Sequence, residues 1–325
     1  MSEKIKIKVT EQSYTKLDKN GTSDAHLLIE GDDINYVMMN TIRRVSLSNI
    51  PIYAIDSNSI DIKGTSVYNN DIMKCRLTLL KIINIENNRG TLDMTNDIEH
   101  FNSTSYKEIV DDRFYGPLTI YCNVKNNTND IMNVLTDKCE YYVDGNKIDF
   151  KDIYPISILL CKLKPDEFIT FSLKTKIGIG KIHACWNCAH TYYSYDPDNP
   201  HKFSLSVESL SQLDAYEILF RSCVYIVNKL KNMNEFFSNY EFPSNTQGSI
   251  ILKNEDHTFG NLFTYGLQDN PNITFAGYKQ DHPLIRDITI NYLTNGKMTI
   301  NNIIKEVINK QIDIYDHLSS KFNKK

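Results

Sequence analysis

Two short stretches hold the side chains that could do chemistry. "HACWNCAH", residues 183–190, sets His183, Cys185, Cys188 and His190 close together. A Cys-x-x-Cys can supply two zinc ligands, but a structural site normally takes a second pair well separated in sequence. No second Cys-x-x-Cys or histidine pair exists in the chain. Thiol redox chemistry wants a thioredoxin-like βαβ context, which is also missing. The plainer reading is a strand end and loop with Trp186 packed. The second stretch, "NEDH" at 254–257, sets Glu255, Asp256 and His257 before an apolar run. Neighbouring helical positions point in different directions, which argues against a catalytic cluster. Acids at a helix start instead satisfy free amides and oppose the positive end of the dipole.

The elements that must position these residues are legible in the hydrophobic pattern. "DDINYVMMNTIRRVSLSNIP" repeats Ile34, Val37, Met38, Ile42 and Val45 at steps of three and four, the stripe of a helix facing a core. Asp32 and Asp33 stand where a cap belongs, and Pro51 stops the helix before the strand-like "IYAI". Residues 56–165 read as short strands separated by turn chemistry such as "NIENNRG" and "YVDGNKI". Strands "DEFITFSLKTKIGIG" and "HKFSLSVESL" follow, and Ser211 with Asp214 forms a capping-box pattern ahead of a long helix. "EFPSNTQGS", 241–249, reads as a linker. Beyond it come the strand "SIILKNE", a helix with Phe259, Leu262, Phe263 and Leu267 on one face, two strands, and a helix from Thr299 to Phe322.

Composition bounds the function. A net charge of −4 with acids and bases interspersed gives no basic footprint for a duplex. The N-terminal "MSEKIKIKV" alternates like an edge strand, where a signal peptide needs an unbroken apolar core. No apolar run reaches the roughly 18 residues that span a bilayer. The seven cysteines are unevenly spaced, which points to a reducing, intracellular setting.

An internal echo then emerges. "NTIRRV" (40–45) and "HTFGNL" (257–262) share x-Thr-apolar-x-x-apolar, each on a helix entered from a strand, and each is followed by Asn-Pro or Asn-Ile-Pro and a strand. Each block ends in a long amphipathic helix. Two like halves packed helix to helix would reproduce the geometry of a two-fold dimer.

At these residues the chain resembles a known family. "NTIRRVSLSNIPIYAID", "GTSVYNNDIMKCRLTLLKI", "GIGKIHACW" and "FSLSVES" are similar, in order, to the bacterial RNA polymerase alpha subunit and to the third-largest subunit of eukaryotic RNA polymerase II. "NEDHTFGNLFTYGLQDNPNITFAGYKQDHPL" resembles the eleventh subunit of the same enzyme. The likeness covers roughly 25–90, 170–235 and 248–320. A fusion of this kind is what large cytoplasmic DNA viruses carry.

The resemblance implies an α+β fold of two dimerisation domains, each a sheet plus two helices, packed as a pseudo-symmetric pair. Residues 1–55 and 166–238 would form the first, with 56–165 inserted as a β-rich domain; 239–249 would link to the second, 250–325. The interface between halves would draw on Val37, Met38, Thr41, Ile42 and Val45 from the first helix. Thr258, Phe259, Gly260, Leu262 and Phe263 would answer from the second half, with Ile304 and Ile308 from its last helix. Gly260 would allow a close approach by the partner helix.

The implied role is a non-catalytic assembly platform. Arg43, Arg44, His183 and Trp186 would bind the second-largest and largest polymerase subunits, with small subunits joining. No cofactor, metal, membrane or direct DNA contact is implied, and the location would be the host cytoplasm, and the virion if the chain is viral. The family usually carries Lys where Cys185 stands and His where Cys75 stands. Some relatives hold zinc or an iron–sulfur cluster in the inserted domain, but Cys75, Cys122, Cys139 and Cys161 are far apart in this sequence. The alternatives from other classes are a zinc- or thiol-dependent enzyme centred on 183–190 and a free-standing nucleic-acid adaptor.

Overall fold

A computed structural model describes residues 5–83, 85, 115–282 and 284–323. The turn-rich "NIENNRG" lies largely outside them. The first sheet runs β1 (Lys8–Thr15), β2 (Ser23–Glu30), β12 (Asn199–Ser209), β11 (Ala189–Asp196), with every neighbour antiparallel. Along β2 the alternation buries Ala25, Leu27 and Ile29 on one face, the period-two pattern of a half-buried strand. The N-terminal alternation does lead into an edge strand, β1.

Helix α1 (Tyr36–Ser48) lies on this sheet. Ser46 donates from Oγ to Thr191 Oγ1 of β11 at 2.8 Å, and the Cys188 thiol donates to the Ser46 carbonyl at 3.2 Å. Its cap is Asn35, whose side chain accepts from the Val37 and Met38 amides at 3.0 Å. The expected Asp caps do not form; Asp33 accepts from the Lys6 amide instead.

A second sheet of six strands has the order β3 (Ile52–Ile55), β10 (Phe168–Gly178), β5 (Tyr115–Lys125), β7 (Cys139–Val143), β8 (Asn146–Ile148), with β4 (Asp61–Gly64) also on β10. β6 (Met132–Leu135) pairs with β9 (Leu159–Leu163) beside it, and helices α2 (Asn70–Thr78) and α3 (Phe150–Ile153) lie in this region among the described residues. This corrects the expected boundaries at 55/56 and 165/166. β3 and β10 pair with each other from Ile52↔Gly178 to Ile55↔Thr175, and β10 pairs on along β5, so both strands belong to the middle sheet.

Helix α4 (Ala215–Ser238) returns to the first sheet. Asp214 is itself the cap, accepting from the Tyr216 amide at 2.9 Å. Its other oxygen collects Tyr14 OH at 2.9 Å, the Leu17 amide at 3.0 Å and Ser23 Oγ at 3.2 Å, tying β1 and β2 to the helix start. The expected capping box is therefore absent, and the Ser211 hydroxyl is buried without a hydrogen-bond partner among the described residues.

Beyond residues 239–246, a third sheet runs β13 (Gln247–Lys253), β15 (Asp287–Thr294), β14 (Ile273–Lys279), covered by α5 (His257–Gln268), against which α6 (Ile300–Phe322) packs. α4 lies along α6, and α1 contacts α4 and α5. No described helix is long and apolar enough to cross a membrane.

Candidate functional site

The seam between the first sheet's helices and those of the third is where most of the singled-out residues meet. Arg44 on α1 donates from Nε to Thr258 Oγ1 on α5 at 2.8 Å. Tyr225 of α4 meets Phe259 edge-on, ring centroids 6.3 Å apart, and Phe237 stacks on Phe263 at 5.3 Å. Tyr315 of α6 is fully buried and donates to the Met38 carbonyl at 3.4 Å. Val37, Ile42, Val45, Leu262, Ile304 and Ile308 are all buried in the same core.

Gly260 departs from expectation. A Cβ there would sit 3.0 Å from Ile288 and 3.2 Å from Tyr278, so its bare face admits its own sheet and not a partner helix. Gly266 is the helix-packing glycine: a Cβ would fall 2.6 Å from Val307 of α6.

Two lysine–carboxylate pairs cross the seam. Lys229 of α4 binds Glu255 at 2.8 Å, and Lys181, just past β10, binds Asp256 at 3.0 Å. The Lys181 amide also donates to the Ser48 carbonyl at the end of α1, at 2.8 Å. Asp256 caps α5 by accepting from the Thr258 amide at 2.9 Å. Burial raises both carboxyls, with different outcomes. For Glu255 burial prevails over Lys229 and the carboxyl stays above its ordinary value. For Asp256 the Lys181 ammonium and the Thr258 donors outweigh burial and hold it at about 2. His257 turns aside, edge-on to Tyr278 at 5.8 Å. The acids of "NEDH" thus cap and cross-link; each is already committed to a lysine.

The residues expected to bind other subunits separate into different environments. Arg43 is half-buried and donates from Nε and Nη2 to Asn40 Oδ1, at 3.0 and 2.9 Å. Arg44 faces the seam, contrary to the expectation that both arginines reach outward. His183 is exposed, its Nδ1 accepting from the Cys185 amide. Trp186 is only 6% exposed; its Nε1 donates to the Lys176 carbonyl at 3.0 Å, and the indole occupies the space that a Cβ at Gly178 would fill. It is core, not a docking residue.

The Cys-x-x-Cys is buried as well. Burial pushes Cys185 and Cys188 each up to about 12, against the opposing pull of Lys81. Lys81 donates to the carbonyls of Cys185 and Asn187 at 3.0 and 2.7 Å. Thiols so raised are protonated at neutral pH and are poor nucleophiles. Among the described residues no three His, Cys, Asp or Glu side chains converge on a metal position. In the middle region, by contrast, Cys122 and Cys139 come together across β5 and β7, so they are not the scattered pair that their sequence separation suggests.

Sequence reading missed Lys181, Lys229 and Tyr225, and took Tyr315 only as one more position in the apolar stripe of the last helix. Lys229 left a signal, a cation between the apolar Ile226 and Leu230 of a helix that buries most of its length. Tyr225 sat unremarked within an apolar stripe.

Residues 247–321 match the RNA polymerase Rpb3/Rpb11 dimerisation domain. The chain is 28% identical over 350 aligned positions to a chain of Acanthamoeba polyphaga mimivirus named as a DNA-directed RNA polymerase subunit, covering 99% of this chain and 94% of that one. It is 32% identical over 92 positions to the Rpo11 RNA polymerase subunit of Thermococcus kodakarensis, 28% of this chain and 83% of the relative. It is 28% identical over 193 positions to the Rpo3 subunit of Methanocaldococcus jannaschii, 59% of this chain and 81% of the relative.

Proposed function

From the premise that this chain belongs to the Rpb3/Rpb11 dimerisation family of RNA polymerase subunits, and is an assembly subunit of a DNA-directed RNA polymerase, we propose that it is a heterodimer made covalent, the platform on which the two large catalytic subunits gather. It does no chemistry of its own. The first sheet with α1 and α4 is one partner, the third sheet with α5 and α6 the other, and residues 52–178 form the inserted unit. The observation that carries this reading is the pairing of like with like: α1 against α5 and α4 along α6. That is the self-complementary arrangement of a two-fold dimer, here between unlike halves.

The outward positions left for the large subunits are Arg43 and His183, at the exposed margin of the first half. Arg suits a bidentate grip on a partner carboxylate. The likeness to the mimivirus chain supports a place in the transcription machinery of a large DNA virus, in the cytoplasm of its host. The test is to tag the chain in its native source and identify what co-purifies. Two very large subunits in equimolar amount are expected. Recovery of the chain alone, at physiological salt and from actively transcribing material, overturns the platform reading.

A further inference from the structure

Cys122 on β5 and Cys139, the first residue of β7, stand directly opposite each other in the antiparallel register. The Cys139 amide turns back to the Thr136 carbonyl of the preceding 3-10 turn, so the two residues do not exchange both backbone bonds. Theirs is therefore the close kind of antiparallel pair, with α-carbons about 4.5 Å apart and side chains drawn together. That spacing lies inside the roughly 4.4–6.8 Å that a disulfide spans. Both side chains are buried.

We propose that Cys122 and Cys139 are a site of reversible oxidative modification, a dithiol that a low-molecular-weight disulfide converts into a cross-strand bridge between β5 and β7. The unlike settings of the two thiols assign the order of events. The neighbouring Cys139 thiol holds the Cys122 thiol below its ordinary value against the effect of burial, while Cys139 is raised. The Cys122 thiolate attacks one sulfur of the small disulfide RSSR. That S–S bond breaks, a mixed disulfide forms on Cys122, and RS⁻ leaves and takes up the proton Cys122 gave up. Cys139 then loses its proton and attacks the Cys122 sulfur, expelling the second RS⁻, which leaves as RSH. The protein has lost two electrons and two protons, and RSSR has become two RSH.

The bridge closes the loop between the two cysteines, which carries β6 and the buried Thr136. It therefore ties the β6–β9 pair to the six-stranded sheet. Cys185 and Cys188, the more obvious pair in sequence, are placed otherwise: the Cys188 thiol is engaged by the Ser46 carbonyl.

The test uses the full chain, reduced and freed of reductant, then held in glutathione disulfide at neutral pH until no further change. After denaturation, free thiols are alkylated and peptides mapped. Two of the seven cysteines should escape alkylation, one linked peptide should join Cys122 to Cys139, and the native chain should melt a few degrees higher because the unfolded loop is constrained. Dithiothreitol should reverse both effects. Cys139→Ser should stall with glutathione on Cys122, and Cys122→Ser should take up none at this site. Alkylation of all seven cysteines, or a bridge through Cys161 or between Cys185 and Cys188, overturns the proposal. Mapping of the unsubstituted chain decides the matter even if a variant fails to fold.

Discussion

Arg43 and Arg44 are sequence neighbours that serve different surfaces. A step of 100° around α1 sends Arg44, with Thr41 and Ser48, toward the second half, while Arg43 curls back on Asn40. Arg44→Ala should lower stability by about 1–3 kcal/mol, the worth of a hydrogen bond to a charged group, read as a lower urea midpoint. Arg43→Ala should change stability by no more than about 0.5 kcal/mol. It should weaken capture of the second-largest subunit by about 2–5 kcal/mol, roughly 30- to several-thousand-fold, measured by co-purification or titration calorimetry. Equal effects of the two changes on assembly at unchanged stability would refute this division. The sequence made both arginines candidates through motif likeness, but which face each took depended on a tertiary partner, Thr258, more than two hundred positions away. Trp186 was misjudged for a related reason: the pocket that buries it is opened by Gly178, a residue that a motif match does not weigh.

At the scale of elements, the start of α5 is the most informative. Lys229 and Glu255 are each nearly buried, with side-chain exposures of 16% and 11%. Removing one partner of such a pair leaves the other unpaired and costs about 3–5 kcal/mol, whereas replacing both with apolar groups of similar size is often neutral. Lys229→Met alone should therefore destabilise strongly, and Lys229→Met with Glu255→Met should recover most of the loss, as chemical denaturation would show. Asp256 gives a pH signature. Its carboxyl titrates near 3.8 unfolded and at about 2 folded, so the pairing adds stability that is complete above pH 4 and is lost as pH falls toward 2. That amounts to about 2 kcal/mol. Glu255, raised on folding, works in the opposite sense: its share is present at low pH and lost as pH rises through its raised value. Asp256→Asn should flatten the acid limb of a melting-temperature profile; an unchanged limb would deny the Lys181 pair its role. Most elements here were legible, α5, α6 and β13 to β15 nearly to the residue, because their apolar periodicity is strong. What periodicity could not reveal is partnership. β3 and β10 read as strands, but a strand pattern does not name the sheet it joins, and so the domain edges fell in the wrong place.

The whole molecule should behave as a compact monomer. The tether at 239–246 gives each half an effective concentration of order mM for the other, so pairing within a chain prevails over pairing between chains. Light scattering at low micromolar protein should return one chain's mass, and limited proteolysis near Ser244 should leave the two parts bound to each other. An obligate dimer, or parts that separate on cleavage, would contradict the seam as described. The same tether also governs supply. Two subunits from separate messages can be made in unequal amounts, and the surplus of either would display the apolar face of α4 or α6 with nothing to cover it, a patch of the kind that drives aggregation. One message that encodes both has no surplus to clear, and the ratio of the two partners is set by translation itself.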